Sequence, residues 1–261
     1  MNKKPIGIFD SGVGGLTVLS EIKKILPNEN LIYLGDTKNF PYGNKTKEQI
    51  IELAIKNTEK LIDLDAKAIV IACGTATSQA IETLKEKFTL PIIGIIEPTV
   101  EYIKTQKINK IGVIATEGTI RSGAYERLLK QEIQNIEVIN KACPMLATIA
   151  EEGRATSKEG KTVIKEYMQP FKENKINKII LGCTHYPIYQ ELIKEELGYP
   201  VELINTGITV SKKLANYLKE NNLLNTEKHR EDLIFLTKPE EKFCTIAKNL
   251  LNFNVKIRQI T

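Results

Sequence analysis

The sequence predicts an α/β protein of two pseudo-symmetric domains, each built on a mainly parallel sheet, with a functional site in the cleft between them. Two observations carry this prediction. Short runs rich in Ile, Val and Leu recur near residues 6–10, 31–35, 68–72, 92–96, 111–115, 136–139, 178–182, 201–204, 232–236 and 255–259, and helix-like stretches of Glu, Lys, Leu and Ile separate most of them. That alternation is the mark of βαβ units whose sheets are covered on both faces. The second observation is a repeat. Lys67-Ala-Ile-Val-Ile-Ala-Cys73 matches Asn177-Lys-Ile-Ile-Leu-Gly-Cys183 at an offset of 110 residues (183 − 73). Pro91 and Pro200, each opening an apolar run, are offset by 109 (200 − 91), and the strands beginning at Ile6 and Ile111 by 105 (111 − 6). Near-constant spacing of three elements predicts a duplicated unit.

The first strand ends in Asp10-Ser11-Gly12, and Gly12-Val-Gly14-Gly15-Leu-Thr17 follows, with Asp36 closing the next strand-like run. This layout approaches a dinucleotide fingerprint, but Thr17 stands where the third glycine belongs and Gly15 is one step out of register. The plainer reading is that backbone N–H groups here approach a small anion at a helix N-terminus, where carboxylate is favoured. Pro41-Tyr42-Gly43 lies in the loop after the second strand, Cys73-Gly74-Thr75 after the third, and Cys183-Thr184-His185 at the equivalent place in the second half. All lie at the carboxyl ends of strands, where parallel sheets bind ligands. Thr75 or Thr77 is expected to cap the helix after Cys73, and Pro187 is expected early in a helix beyond Cys183. A domain boundary is expected at Glu97-Pro98-Thr99, because Pro disfavours helix continuation there. The second copy is expected to end near Asn205-Thr206-Gly207. The stretch Val210 to Leu218 has the spacing of an amphipathic helix. The remaining segment is too short for its own core, so it should pack back on the first half. The expected domains are 1–97 with 207–261, and 98–206.

At 261 residues and 42% hydrophobic content, the chain can bury one large core or two modest ones. The net charge of +5 is spread without a basic block, and there is no Trp, so the lysines read as solvated faces rather than a nucleic-acid footprint. No stretch approaches the ~18 apolar residues of a membrane span. The N-terminus runs straight into the first strand, and a soluble cytoplasmic protein is expected. Four cysteines, none in C-x-x-C spacing, read as free thiols in a reducing compartment.

Cys73 and Cys183 each sit between a strand end and a helix start, where unpaired N–H groups lower a thiol pKa. Cys143 and Cys244 lack this setting and are expected in the core. If the halves face each other, the two thiols flank one small molecule. One thiolate and one thiol on opposite faces of a carbon suit inversion at an α-carbon. A disulfide switch would need only proximity of the sulfurs, which geometry must decide. A zinc site using Cys73, Cys183 and His185 has poor ligand spacing and no evident fourth ligand. Acyl transfer would use one cysteine and leave the other without a task. His185 is read as a site residue, and His229, in the charged run from Glu227 to Asp232, as a surface one.

Asp10-Ser-Gly-Val-Gly-Gly-Leu-Thr17, Pro41-Tyr-Gly43, Cys73-x-Thr75 and Gly182-Cys-Thr-His-Tyr-Pro187, in this order, closely resemble the bacterial aspartate/glutamate racemase family over nearly the whole chain. The resemblance implies a cofactor-independent, metal-free two-base racemase of two α/β domains. It further implies a cytoplasmic homodimer that acts on glutamate and supplies D-glutamate for peptidoglycan. By resemblance, Cys73 serves D-glutamate as base and Cys183 L-glutamate. Asp10 and His185 assist the neighbouring thiols, and Glu151 matches a further acidic helper. Ser11, Tyr42, Gly43, Thr75 and Thr184 hold the substrate's charged groups, with Pro41 and Gly74 beside them. His185 favours glutamate over aspartate, because aspartate-directed relatives tend to carry Glu after Cys-Thr. The family usually has Asn where this chain has Gly74, and the missing contact is expected to cost ~0.5–1.5 kcal/mol. Weakened turnover, a shift to aspartate or another amino acid, and a binding protein that has lost catalysis are the alternatives this departure opens.

Overall fold

A computed structural model describes residues 2–227 and 231–260; His229 lies outside the described residues. Each of the ten apolar runs forms a strand: β1 Ile6–Asp10, β2 Leu31–Gly35, β3 Ala68–Ile71, β4 Ile92–Gly94, β5 Lys110–Ala115, β6 Glu137–Ala142, β7 Lys178–Leu181, β8 Glu202–Asn205, β9 Leu233–Leu236 and β10 Lys256–Gln259. They make two all-parallel sheets, ordered β10-β9-β2-β1-β3-β4 and β6-β5-β7-β8. The order β2-β1-β3-β4 in the first sheet is the order β6-β5-β7-β8 in the second, so the duplicated unit is a property of topology as well as of spacing. Every residue of β1, β2 and β3 is buried, as strands covered on both faces must be.

The helices are α1 Leu16–Ile25, α2 Lys47–Asp63, α3 Gly74–Lys87, α4 Ile96–Lys104, α5 Glu117–Ser122, α6 Ala124–Glu132, α7 Pro144–Glu151, α8 Lys158–Glu173, α9 Gln190–Leu197, α10 Thr206–Glu220 and α11 Glu241–Leu250. Local chemistry starts several of them. The Thr46 hydroxyl accepts from the Gln49 N–H while the Gln49 side chain accepts from the Thr46 N–H, a reciprocal cap on α2. Asn205 caps α10 through the Gly207 N–H at 2.8 Å. One local expectation is corrected. Pro98 does not interrupt the helix but occupies the first turn of α4, where its missing N–H would have no helical partner anyway. Pro187 stands early in a helical segment beyond Cys183, as expected, although that segment is a 3-10 turn, Tyr186–Tyr189, that leads into α9.

The chain leaves the first sheet through α4 and returns through α10, which packs on α1 and α4. The returning segment is tied down by a buried ion pair. Lys67 Nζ donates to Glu29 Oε2 at 2.6 Å and to the Leu223 carbonyl at 2.8 Å, while Glu29 Oε1 accepts the Asn225 N–H at 2.8 Å. Both side chains are almost wholly excluded from water. Removing one partner strands the other's charge, so Lys67→Met is expected to lower stability by about 3–5 kcal/mol, measured by urea unfolding.

Candidate active site

The carboxyl ends of the two sheets face one another and enclose a cavity of about 260 Å³. Cys73 and Cys183 both line it, each two residues beyond the end of its strand, and both are buried, at 5% and 6% exposure. All four cysteines are free. Ser11, Pro41, Tyr42, Gly43, Gly74 and Thr75 complete the wall from the first half. Thr184 and His185 face them from the second. Asp10 and Glu151 stand one layer behind this wall.

The surroundings of the two thiols differ. Cys73 is itself the N-cap of α3, its sulfur accepting the Ala76 N–H at 3.4 Å, so neither Thr75 nor Thr77 performs that task. Thr77 instead donates to the Ile71 carbonyl. The Cys73 thiol approaches Ser11 Oγ at 4.0 Å. A helix start was expected to make this thiol acidic. Burial, and then the charge of Asp10, push it the other way and outweigh the Ala76 N–H, so Cys73 is held as a thiol at neutral pH.

Cys183 lies 3.5 Å from His185 Nδ1, and His185 Nε2 lies 2.7 Å from Glu151 Oε1. Burial alone would drive proton loss from the imidazole, but the hydrogen bonds and charges of Cys183 and Glu151 raise its pKa well above the ordinary value. Both ring nitrogens then carry protons, one directed at Glu151 and one at the Cys183 sulfur.

The glycine loop also takes a definite role. Val13 N–H donates to Glu151 Oε1 at 2.5 Å, so the small anion at this loop is a carboxylate of the protein's own second half. The approach needs glycine, since a Cβ on Gly12 would stand 2.1 Å from Glu151 Oε1 and one on Gly14 2.5 Å from His185 Nδ1. Thr17, out of place in a dinucleotide fingerprint, donates to the Thr184 carbonyl at 2.9 Å across the same seam. Asp36 has no capacity left for a ribose, because it accepts from Tyr42 Oη, Asn39 Nδ2 and Thr237 Oγ1. The nucleotide reading therefore has no support here. Tyr42 meets the cavity with its hydroxyl already committed to Asp36 and to the Asn57 amide.

Asp10 accepts the Gly12 N–H at 2.9 Å and the Thr184 hydroxyl at 3.0 Å. Its pKa is raised by burial, against the lowering influence of His185 and both hydrogen bonds. Thr116 was not singled out from sequence. It lines the cavity, and its hydroxyl lies 2.8 Å from that of Thr75 and 2.9 Å from that of Thr119. The signal was present, because the repeat aligns Ala115-Thr116 with Asp10-Ser11. Cys143 is in the core, as expected, but it does stand at a helix start, as the N-cap of α7, with its thiol pointing back to the Lys141 carbonyl. Cys244 is half-buried on α11 rather than in the core. Among the described residues no three His, Cys, Asp or Glu side chains converge as metal ligands.

A family model described as Asp/Glu/Hydantoin racemase matches residues 14–209. A glutamate racemase of Listeria monocytogenes is 41% identical over 252 residues, 96% of this chain and 95% of that protein. The crystal structure of the glutamate racemase isoform RacE1 from Bacillus anthracis superposes with a TM-score of 0.95 at 35% identity, covering 100% of this chain and 98% of the other. The glutamate racemase of Francisella tularensis, solved with D-glutamate, gives a TM-score of 0.93 at 37% identity with the same coverage. With whole-length sequence similarity, matching topology and two thiols on one cavity, this chain belongs to the Asp/Glu racemase family and is an amino-acid racemase.

Proposed function

We propose that the chain interconverts L- and D-glutamate by a cofactor-independent two-base reaction in which Cys73 and Cys183 act on opposite faces of Cα. The observation that carries this is the pair of free thiols lining one cavity of about 260 Å³ from equivalent strand ends. The Francisella relative's complex with D-glutamate supports the choice of substrate.

Starting from L-glutamate, the Cys183 thiolate, accepting a hydrogen bond from the His185 imidazolium, takes the Cα proton. The electron pair of the broken C–H bond delocalises into the adjacent carboxylate. Cys73, held as a thiol, then delivers its proton to the other face. D-glutamate leaves with Cys183 as thiol and Cys73 as thiolate, and the reverse direction exchanges the roles. Glu151 keeps His185 charged, and Asp10 positions Thr184 and stands behind Cys73. The hydroxyls of Ser11, Thr75, Thr184 and Thr116, with backbone at Gly43, provide polar contacts for the substrate's charged groups. We further propose that residues 1–97 and 207–261 form one domain and 98–206 the other. The protein is proposed to act as a cytoplasmic homodimer supplying D-glutamate for peptidoglycan, a reading that family membership supports.

Incubation of either enantiomer of glutamate in heavy water is expected to place deuterium on Cα, read by mass spectrometry. Cys73→Ala and Cys183→Ala are each expected to lower racemisation by at least ~10³-fold; retained turnover in either removes the two-base assignment. Polarimetry on aspartate separates the glutamate enzyme from an aspartate-directed one, and calorimetric glutamate binding without any change in rotation would select a binding protein. Glu151→Gln removes the charge that holds the His185 proton. The imidazole then loses it at lower pH, so the alkaline limb of kcat/KM for L-glutamate is expected to move to lower pH; an unmoved limb detaches Glu151 from the reaction.

A further inference from the structure

We propose that Tyr33 is a positioning residue for the reaction, its hydroxyl fixing the Gly12–Val13 peptide that anchors Glu151 behind His185. The inference rests on the racemase reading, in which the His185 imidazolium serves the Cys183 thiolate. Tyr33 Oη donates to the Gly12 carbonyl at 2.5 Å. That carbonyl and the Val13 N–H belong to one peptide unit, and the Val13 N–H donates to Glu151 Oε1 at 2.5 Å. In a trans peptide the two groups point in opposite directions, so holding one aims the other. The same Glu151 oxygen lies 2.7 Å from His185 Nε2, and His185 Nδ1 lies 3.5 Å from the Cys183 sulfur. A continuous run of hydrogen bonds thus leads from β2 of the first sheet to the thiol of the second half.

Tyr33 stands in the middle of β2 and is wholly buried. Burial, and then the charges of Asp10 and Glu151, raise its pKa well above the ordinary value, so the hydroxyl remains a donor. The glycine loop is packed directly on it, since a Cβ on Gly15 would stand 2.6 Å from Oη. Without this donor the buried Gly12 carbonyl gains by turning toward another partner, and any such turn takes the Val13 N–H out of line with Glu151. The Glu151 side chain, 12% exposed, is then free to swing toward water and away from His185. The titratable groups facing His185 are Asp10 from the end of β1, Glu151 from α7 and Cys183 from its own turn. Of these, Glu151 is the one held by the Val13 N–H. The simpler reading is a core tyrosine whose hydroxyl is merely satisfied, as that of Tyr199 is by the Phe171 and Ile176 carbonyls away from the cavity. Tyr33 differs in that its acceptor shares a peptide with the donor to Glu151.

The test uses the full chain carrying Tyr33→Phe, which keeps the ring that packs on Phe243, with Tyr199→Phe as the control for loss of a tyrosyl hydrogen bond. The chain has two histidines, so nitrogen-15 NMR of histidine-labelled protein follows the His185 imidazole without depending on turnover. In Tyr33→Phe, His185 is expected to lose its proton at lower pH than in wild type, and the Val13 amide proton to move upfield. On the alkaline side, kcat/KM for L-glutamate is expected to fall about 5- to 10-fold. Tyr199→Phe is expected to lower Tm and to leave all three readouts unmoved. A lowered Tm in Tyr33→Phe with the His185 titration unmoved makes Tyr33 a core residue only and overturns the proposal, as does an equal shift in Tyr199→Phe. Should wild type itself fail to racemise glutamate, the functional reading fails while the titration still decides whether Tyr33 acts on His185. If Tyr33→Phe does not fold, 3-fluorotyrosine at residue 33 is a stronger donor of nearly the same shape. It polarises the peptide further and is expected to move the Val13 amide proton downfield; an unmoved resonance overturns the proposal.

Discussion

The carboxyl ends of two sheets meet so closely that the backbone of one half contacts side chains of the other with no room for a Cβ between them. Gly12 faces Glu151, Gly14 faces His185 and Thr184, and Gly74 faces the Gly182 carbonyl. Such contact excludes water, and exclusion of water governs the electrostatics of the site. Asp10, Glu151 and His185 are charged or chargeable groups in a medium where an unpaired charge is very costly. Each consequently has partners within the protein. Two of those pairings cross the seam: Val13 N–H to Glu151, and the Thr184 hydroxyl to Asp10. Parting the halves would return these groups to water, so the pairings contribute little net stability to closure while strictly specifying its geometry.

The backbone is nearly symmetric, but the charges are not. Cys73 has Asp10 and Ser11 beside it, whereas Cys183 has a histidine and behind it a glutamate. Under the proposed reaction the substrate presents mirror-image faces to groups that are not mirror images. Desolvation keeps one sulfur protonated, while an imidazolium donates to the other. This difference distinguishes the two thiols, and duplication alone would not provide it.

The strands were legible because they are buried on both faces, and double burial writes a continuous apolar run into the chain. The paired cysteines were legible because duplication repeats a local pattern at a fixed offset. Thr116 was legible in principle through the same alignment, opposite Ser11. The cap of α3 was not, since Cys73 satisfies its first turn with its own sulfur, a role that Asn, Asp, Ser or Thr usually fills. Glu151 had no local signature at all, and only family resemblance marked it. Its partner N–H on Val13 is 138 positions away in sequence.

By itself, the sequence determined two duplicated parallel α/β units, ten strands and two thiols at matching strand ends. Alternation and repetition are local properties of a chain. Tertiary structure alone decided that the anion at the glycine loop is Glu151, that burial keeps Cys73 protonated, and that Gly74 meets a carbonyl rather than open space. Those outcomes depend on how far apart the two halves stand. That distance is set by contacts between residues far apart in sequence, from 41 positions for Thr75 and Thr116 to 138 for Val13 and Glu151, which no local pattern encodes.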